Sequence, residues 1–224
     1  MTGPTSRTIV GVPDRQRRRY APRLPREQRR QQLLDAALTV LADCPLHELS
    51  MEAVAEAAGV GKPVLYTAYR TRAELVTALL TREHQRGLDQ VRAALPDDLG
   101  VAGPTEAYTA TVSAFLQAVL ENPTRWRLIL TVPDSAPREY RAAVRHARSQ
   151  IVELAESFAR AGIELDPRLT NLDPALLGHT MLSFAEMLGR LAVHDPETYP
   201  RDRLQEYAAT TMKMFAGQFQ VAAP

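Results

Sequence analysis

Apolar residues in this chain recur at three- and four-residue steps and nowhere in strict alternation, so the sequence predicts helices and no sheet. The steps begin after Pro25. Leu34, Ala37, Leu38, Leu41 and Ala42 mark one helical face that ends near Cys44 and Pro45. Later breaks fall where proline and glycine forbid continuation: residues 96–104, Asn122-Pro123, Pro133 to Pro137, Gly162, and Asp166-Pro167 to Asp173-Pro174. Between them lie a helix with Tyr108, Val112, Phe115, Leu116 and Val119 inward and a short one around Trp126 to Leu130. A long helix carries Tyr140, Val144, Ala147, Ile151, Leu154 and Phe158 and is expected to end at Gly162. Two final helices follow, at about 175–193 and 201–219. The expected fold class is all-α.

Residues 50–69 carry the strongest local constraint. Ser50 is a good N-cap for a short helix reaching about Ala58, with Val54, Ala55 and Ala58 inward. Gly59 can take positive φ and close that helix in a tight turn. A second short helix starts near Lys62, where Pro63 is tolerated because no donor is lost in the first turn. Thr71 is placed to cap the next helix, which runs to about Leu95. Two short helices joined by a tight turn form a helix-turn-helix. Leu65 and Tyr69 would anchor its second helix, leaving Lys62, Pro63, Val64, Tyr66, Thr67 and Ala68 outward. A lysine, two hydroxyl side chains and small apolar groups suit a groove lined by phosphates and thymine methyls.

Charge is distributed to match. Net charge is +1, yet residues 1–30 hold nine arginines against Asp14 and Glu27, leaving an acidic remainder. Residues 1–25, with four prolines and no apolar period, read as a flexible basic arm. Arg17, Arg18 and Arg19 are its candidate phosphate contacts, and a solvated tail is the alternative. The single cysteine, Cys44, excludes an intrachain disulfide and fits a reducing, cytoplasmic setting. Residues 1–12 lack the apolar run of a secretory signal. Ala175 to Val193 is almost long enough to span a bilayer, but His179, Glu186 and Arg190 within it favour a buried helix in a water-soluble protein. His179 and Glu186 lie seven apart without a tighter ligand pair, so no metal is expected.

The run Ala53-Val54-Ala55-Glu56-Ala57-Ala58-Gly59-Val60-Gly61-Lys62-Pro63-Val64-Leu65-Tyr66-Thr67-Ala68-Tyr69, followed by Arg70-Thr71-Arg72-Ala73-Glu74-Leu75, resembles the signature of the TetR family. The resemblance covers about residues 28–80. It implies an N-terminal three-helix DNA-binding domain (26–80) and a C-terminal helical effector-binding and dimerisation domain (81–224). It also implies that Ser50 and Tyr66 hydrogen-bond phosphates, that Lys62 to Thr67 read the major groove, and that Arg72 grips the DNA backbone. Gly61, Val64 and Ala68 stand where the family often has polar or aromatic groups, which shifts base readout toward Lys62, apolar contacts and the arm.

The same resemblance implies a homodimer built on the last two helices, where Gly178, Ala185, Gly189 and Ala192 form a stripe of small residues. It further implies an internal cavity, for which Tyr108, Phe115, Trp126, Ile151, Phe158, Met181 and Phe184 are the candidate lining. An apolar lining points to a lipophilic or amphipathic effector. The expected function is a ligand-responsive regulator, a repressor in the first reading, that binds a palindromic operator and needs no cofactor. Two alternatives stand beside it: an all-α enzyme using the cavity, and an activator or architectural DNA binder of the same fold. No phosphate loop, nucleophile elbow or metal-ligand cluster supports the enzyme.

Overall fold

Pro25 holds the backbone extended (φ −51°, ψ 150°) immediately before α1 (Arg26–Asp43), the first helix of a computed structural model that describes residues 24–94, 103–131, 136 and 138–218. The arm arginines Arg17, Arg18 and Arg19 lie outside the described residues. Then come α2 (Met51–Ala57), α3 (Lys62–Ala68), α4 (Arg72–Ala94), α5 (Pro104–Glu121), α6 (Pro123–Leu130), α7 (Arg138–Leu165), α8 (Pro174–His194) and α9 (Arg201–Gln218). Among the described residues there is no strand, and no helix is long and apolar enough to cross a membrane.

The two seven-residue helices are too short to persist alone in water. Packing holds them. Val54 and Ala55 of α2 and Leu65 of α3 are buried with Leu33, Leu41, Tyr69, Leu75 and Leu79 in one apolar core. At roughly 1.5–3 kcal/mol per large side chain buried, this face outweighs the weak intrinsic helicity of such short segments. The Leu65 face also includes Ala68, three residues on. Ala68 is therefore buried, not outward as the sequence reading had it.

A second core joins Val112, Leu116 and Val119 of α5 with Trp126 of α6, Leu188 of α8, and Leu204 and Ala208 of α9. The first core is not confined to the N-terminal helices: Leu128, Ala136 and Tyr140 belong to it. Helix α4 runs unbroken across residue 80 and is the shared beam.

Two expectations for the C-terminal half are overturned. Helix α7 does not end at Gly162 but continues to Leu165. Gly162 serves close packing there, since a Cβ would lie 3.3 Å from Pro104 Cβ at the start of α5. The small-residue stripe of α8 does not face outward. A Cβ on Gly178 would lie 2.7–2.9 Å from backbone atoms of Glu156 and Ala155 in α7, and one on Gly189 would meet Phe115 and Leu130 at 2.9 Å. Ala192 is buried and Ala185 packs on the second core. Small residues permit close helix approach, and here the helix approached belongs to the same chain. Among the described side chains of α8 and α9, the large apolar ones that are exposed are Leu176, Tyr207 and Met214.

Candidate nucleic-acid interface and effector cavity

Ser50 shapes the entry to the helix-turn-helix: its Oγ accepts from Ala53 N at 3.1 Å, as an N-cap does. That bond uses an oxygen lone pair and leaves the hydroxyl proton available to a phosphate. Gly59, with φ +64°, closes α2. The Val60 and Gly59 amides donate to Ala55 O and Glu56 O at 3.0 and 2.9 Å, the paired bonds of a Schellman turn. Thr71 and Glu74 start α4 together. Thr71 Oγ1 accepts from the Glu74 amide at 3.1 Å, and Glu74 Oε2 accepts from the Arg70 amide at 2.9 Å. These local choices fix the direction of α3.

With Leu65, Ala68 and Tyr69 inward, α3 presents Lys62, Pro63, Val64, Tyr66 and Thr67 to solvent. Val64 is 41% and Tyr66 44% exposed, among the few large apolar side chains left uncovered. Thr67 Oγ1 donates to Pro63 O at 2.8 Å, so what it offers outward is an acceptor oxygen and a methyl group. Lys62 Nζ donates to Glu52 Oε1 at 2.8 Å. The hydrogen bond from Lys62 pulls the Glu52 carboxyl below its usual range, and the same bond raises the Lys62 ammonium.

Arg72 is partly buried. Its Nε donates to Leu49 O at 2.6 Å and its Nη2 to Leu46 O, so it stitches the start of α4 to the segment before α2. Arg30 makes a second stitch that sequence reasoning missed. Its guanidinium stacks 4.1 Å from the Tyr69 ring centroid and donates to Ala68 O at 2.6 Å. Burial raises the Tyr69 hydroxyl.

A cavity of about 810 Å³ opens among α5, α7, α8 and α9. Of the candidate lining residues, Tyr108, Phe158, Met181 and Phe184 border this cavity, together with Met187, Tyr207 and Met212. Tyr108 Oη donates to Met181 O at 2.7 Å, and burial raises its ionisation well above the usual tyrosine range. Phe184 and Tyr207 approach with ring centroids 6.0 Å apart. Phe115, Trp126 and Ile151 are not in this lining. Phe115 and Trp126 form an edge-to-face pair at 5.0 Å inside the second core, and Ile151 faces a small crevice beside Leu88 and Val91. A helical period marks all such residues as inward without saying which inward space is filled.

The charged groups among the described lining residues are Asp166 and Asp173. Asp173 Oδ1 accepts from Leu176 N at 2.9 Å and caps α8. Glu186 is ion-paired with Arg148, and with Arg190 at 3.6 Å. Among the described residues no cluster of three or more metal-ligating side chains forms.

Between the two sites runs a buried ionic network. Glu83 on α4 is fully buried; its Oε2 accepts from Arg125 Nε of α6 at 2.7 Å, and its Oε1 from Arg82 Nε at 2.7 Å. Arg82 Nη1 reaches α1, at 2.8 Å from Asp35 Oδ1 and 3.1 Å from Gln31 Oε1.

Residues 33–79 match the family described as bacterial regulatory proteins, tetR family. The chain is 37% identical over 107 residues to the HTH-type transcriptional activator FasR of Mycolicibacterium smegmatis. That alignment covers 48% of this chain and 48% of FasR, so the chain spans about half the length of that curated relative. Its fold is similar to a TetR-like transcriptional regulator from Rhodococcus sp. RHA1 (TM-score 0.67, 25% identity, covering 87% of this chain and 99% of the other). FadR from Bacillus subtilis, solved with stearoyl-CoA, shares the fold at TM-score 0.64 and 14% identity, covering 81% and 96% of the two chains. AibR, solved with isovaleryl coenzyme A and operator DNA, shares it at TM-score 0.66 and 17% identity, covering 82% and 97%.

Proposed function

The chain belongs to the TetR family of bacterial regulatory proteins, and from that premise we propose that it is an effector-responsive transcriptional regulator that binds operator DNA as a homodimer. The observation that carries this reading is the division of α3. Leu65 and Ala68, with Tyr69 after them, are sunk into the first core, while Lys62, Val64, Tyr66 and Thr67 stand exposed on the opposite face of the same helix. Ser50 and Tyr66 would hold phosphates, Lys62 to Thr67 would lie along base edges, and the basic arm with Arg17, Arg18 and Arg19 would add backbone contacts. Arg72 would act near the backbone while keeping its two carbonyl bonds. Met214, exposed on α9 and outside the cavity lining, supports that helix as part of the face that meets a second copy. The setting is the cytoplasm, where the operator lies.

The effector is proposed to be an acyl chain carried as a neutral ester or thioester. The described lining is largely apolar and its charged groups are the carboxylates Asp166 and Asp173, beside which a neutral ester is favoured over a further carboxylate. FadR and AibR were solved with acyl-coenzyme A molecules, which supports the class.

A second reading of the sign of regulation rests on FasR, whose name is that of an activator. The test is anisotropy of a labelled duplex from the chain's own promoter, titrated with and without palmitoyl-CoA and palmitate. Effector coupling is expected as an affinity change with the thioester and little with the acid. A reporter gene then gives the sign. Absence of duplex binding would sink the reading.

A further inference from the structure

We propose that Glu52 is a positioning residue for sequence readout, holding the Lys62 ammonium toward base edges and away from phosphates. The inference rests on the DNA-binding reading of α3. Glu52 is the second residue of α2 and Lys62 the first of α3, so their 2.8 Å bond ties the first turns of both helices of the helix-turn-helix. Both side chains remain more than half exposed, and exposed ion pairs stabilise a fold little. A carboxylate on a surface offered to a polyanion is also unfavourable in itself. Its presence calls for another role.

Lysine has a long flexible stem and three donors. With one N–H held by Glu52, its direction is set before DNA arrives, and two donors remain for the O6 and N7 acceptors of a guanine. If Lys62 swung to a phosphate, Glu52 would be left unpaired against the DNA, so the pair penalises backbone-only binding. The burden on Lys62 is large here. Gly61 and Val64 bring no polar side chain, Ala68 is buried, and the Thr67 hydroxyl already donates to Pro63 O. The lowered carboxyl and raised ammonium keep both partners charged across neutral pH.

The test measures affinity of the full chain for a selected duplex and a scrambled one, across a salt series. Glu52→Gln is expected to bind the scrambled duplex more tightly while gaining nothing on the selected one, lowering discrimination about five- to tenfold, the scale of one lost base contact. Glu52→Asp should recover part of that loss. In a Lys62→Ala background, Glu52→Gln should move both affinities by the same factor. A merely repulsive Glu52 would instead raise both affinities equally in the Lys62 protein as well, and that result, or no change at all, overturns the inference. If the unaltered chain fails to distinguish the duplexes, the DNA-binding reading falls first and this inference with it. Circular dichroism of each variant checks that the helices are intact.

Discussion

Glu83 Oε2 and Arg125 Nε lie 2.7 Å apart with the carboxylate fully buried, joining the helix that leaves the DNA-binding region to α6, which packs on the cavity-wall helix α8. The same carboxylate engages Arg82, which reaches Asp35 on α1. A buried pair of this kind is poor at adding stability but costly to break, because the surviving partner keeps its charge in a dry site. Glu83→Gln is therefore expected to lower unfolding free energy by about 3 kcal/mol. Glu83→Met with Arg125→Leu should recover much of it, since apolar side chains of similar volume need no counter-charge. Urea melts of the three proteins decide this. A single variant within about 0.5 kcal/mol of the parent, the range of ordinary surface substitutions, would contradict it.

Gly178→Ala is expected to be among the most damaging single-methyl additions in the chain. The added carbon would sit 2.7 Å from Glu156 N and 2.8 Å from its Cα, and backbone cannot rotate out of the way as a side chain can. The helices must part instead, at a cost of about 1–3 kcal/mol. Gly59→Ala has open space around it and suffers only the positive φ, roughly 1–2 kcal/mol. The first should alter cavity binding of a fluorescent acyl probe, because α7 and α8 are cavity walls; the second should not. Equal effects of both on the probe would refute this difference.

His84 supplies a pH dependence. Its two ring nitrogens are covered and without hydrogen-bond partners among the described residues, its ring meets Tyr140 edge-on at 6.5 Å, and burial lowers its basicity. Tyr140, likewise buried, is pushed up to about 12 and stays neutral. The unfolded chain therefore takes up a proton at His84 more readily than the folded one. The folded state holds its full advantage above an ordinary histidine pKa of about 6.5 and loses it as pH falls below that value. His84→Phe should flatten the fall of thermal midpoint between pH 7 and pH 5. An unchanged slope would place the acid sensitivity elsewhere.

The helix-turn-helix was legible because its instructions are local. Ser50, Gly59, Pro63 and Thr71 each act within four residues of themselves, and each adopts the role its chemistry implies. Ala68, in the same segment, lies inward because it stands three residues from Leu65 on the same helical face. The C-terminal half depends on partners distant in sequence. Nothing near Gly178 says that its neighbour is Glu156 of its own chain and not a second copy, and nothing near Phe115 says that Trp126 fills the space beside it. The Glu83–Arg125 pair is separated by 42 positions and has no periodic signature. Glu52 and Lys62 are the intermediate case: ten residues apart, but across a turn whose geometry Gly59 fixes, so their opposite charges could have been read as a pair.

Selection of duplexes from a random library by the 224-residue chain tests the central claim most directly. A dimer presenting two copies of α3 is expected to enrich an inverted repeat with half-site centres one helical turn apart, about 10 base pairs, or a multiple of it. Tyr66→Phe should then weaken binding to every recovered duplex by a similar factor, as loss of a phosphate contact does. Enrichment of a lone or directly repeated half-site, or of no sequence at all, would contradict the account.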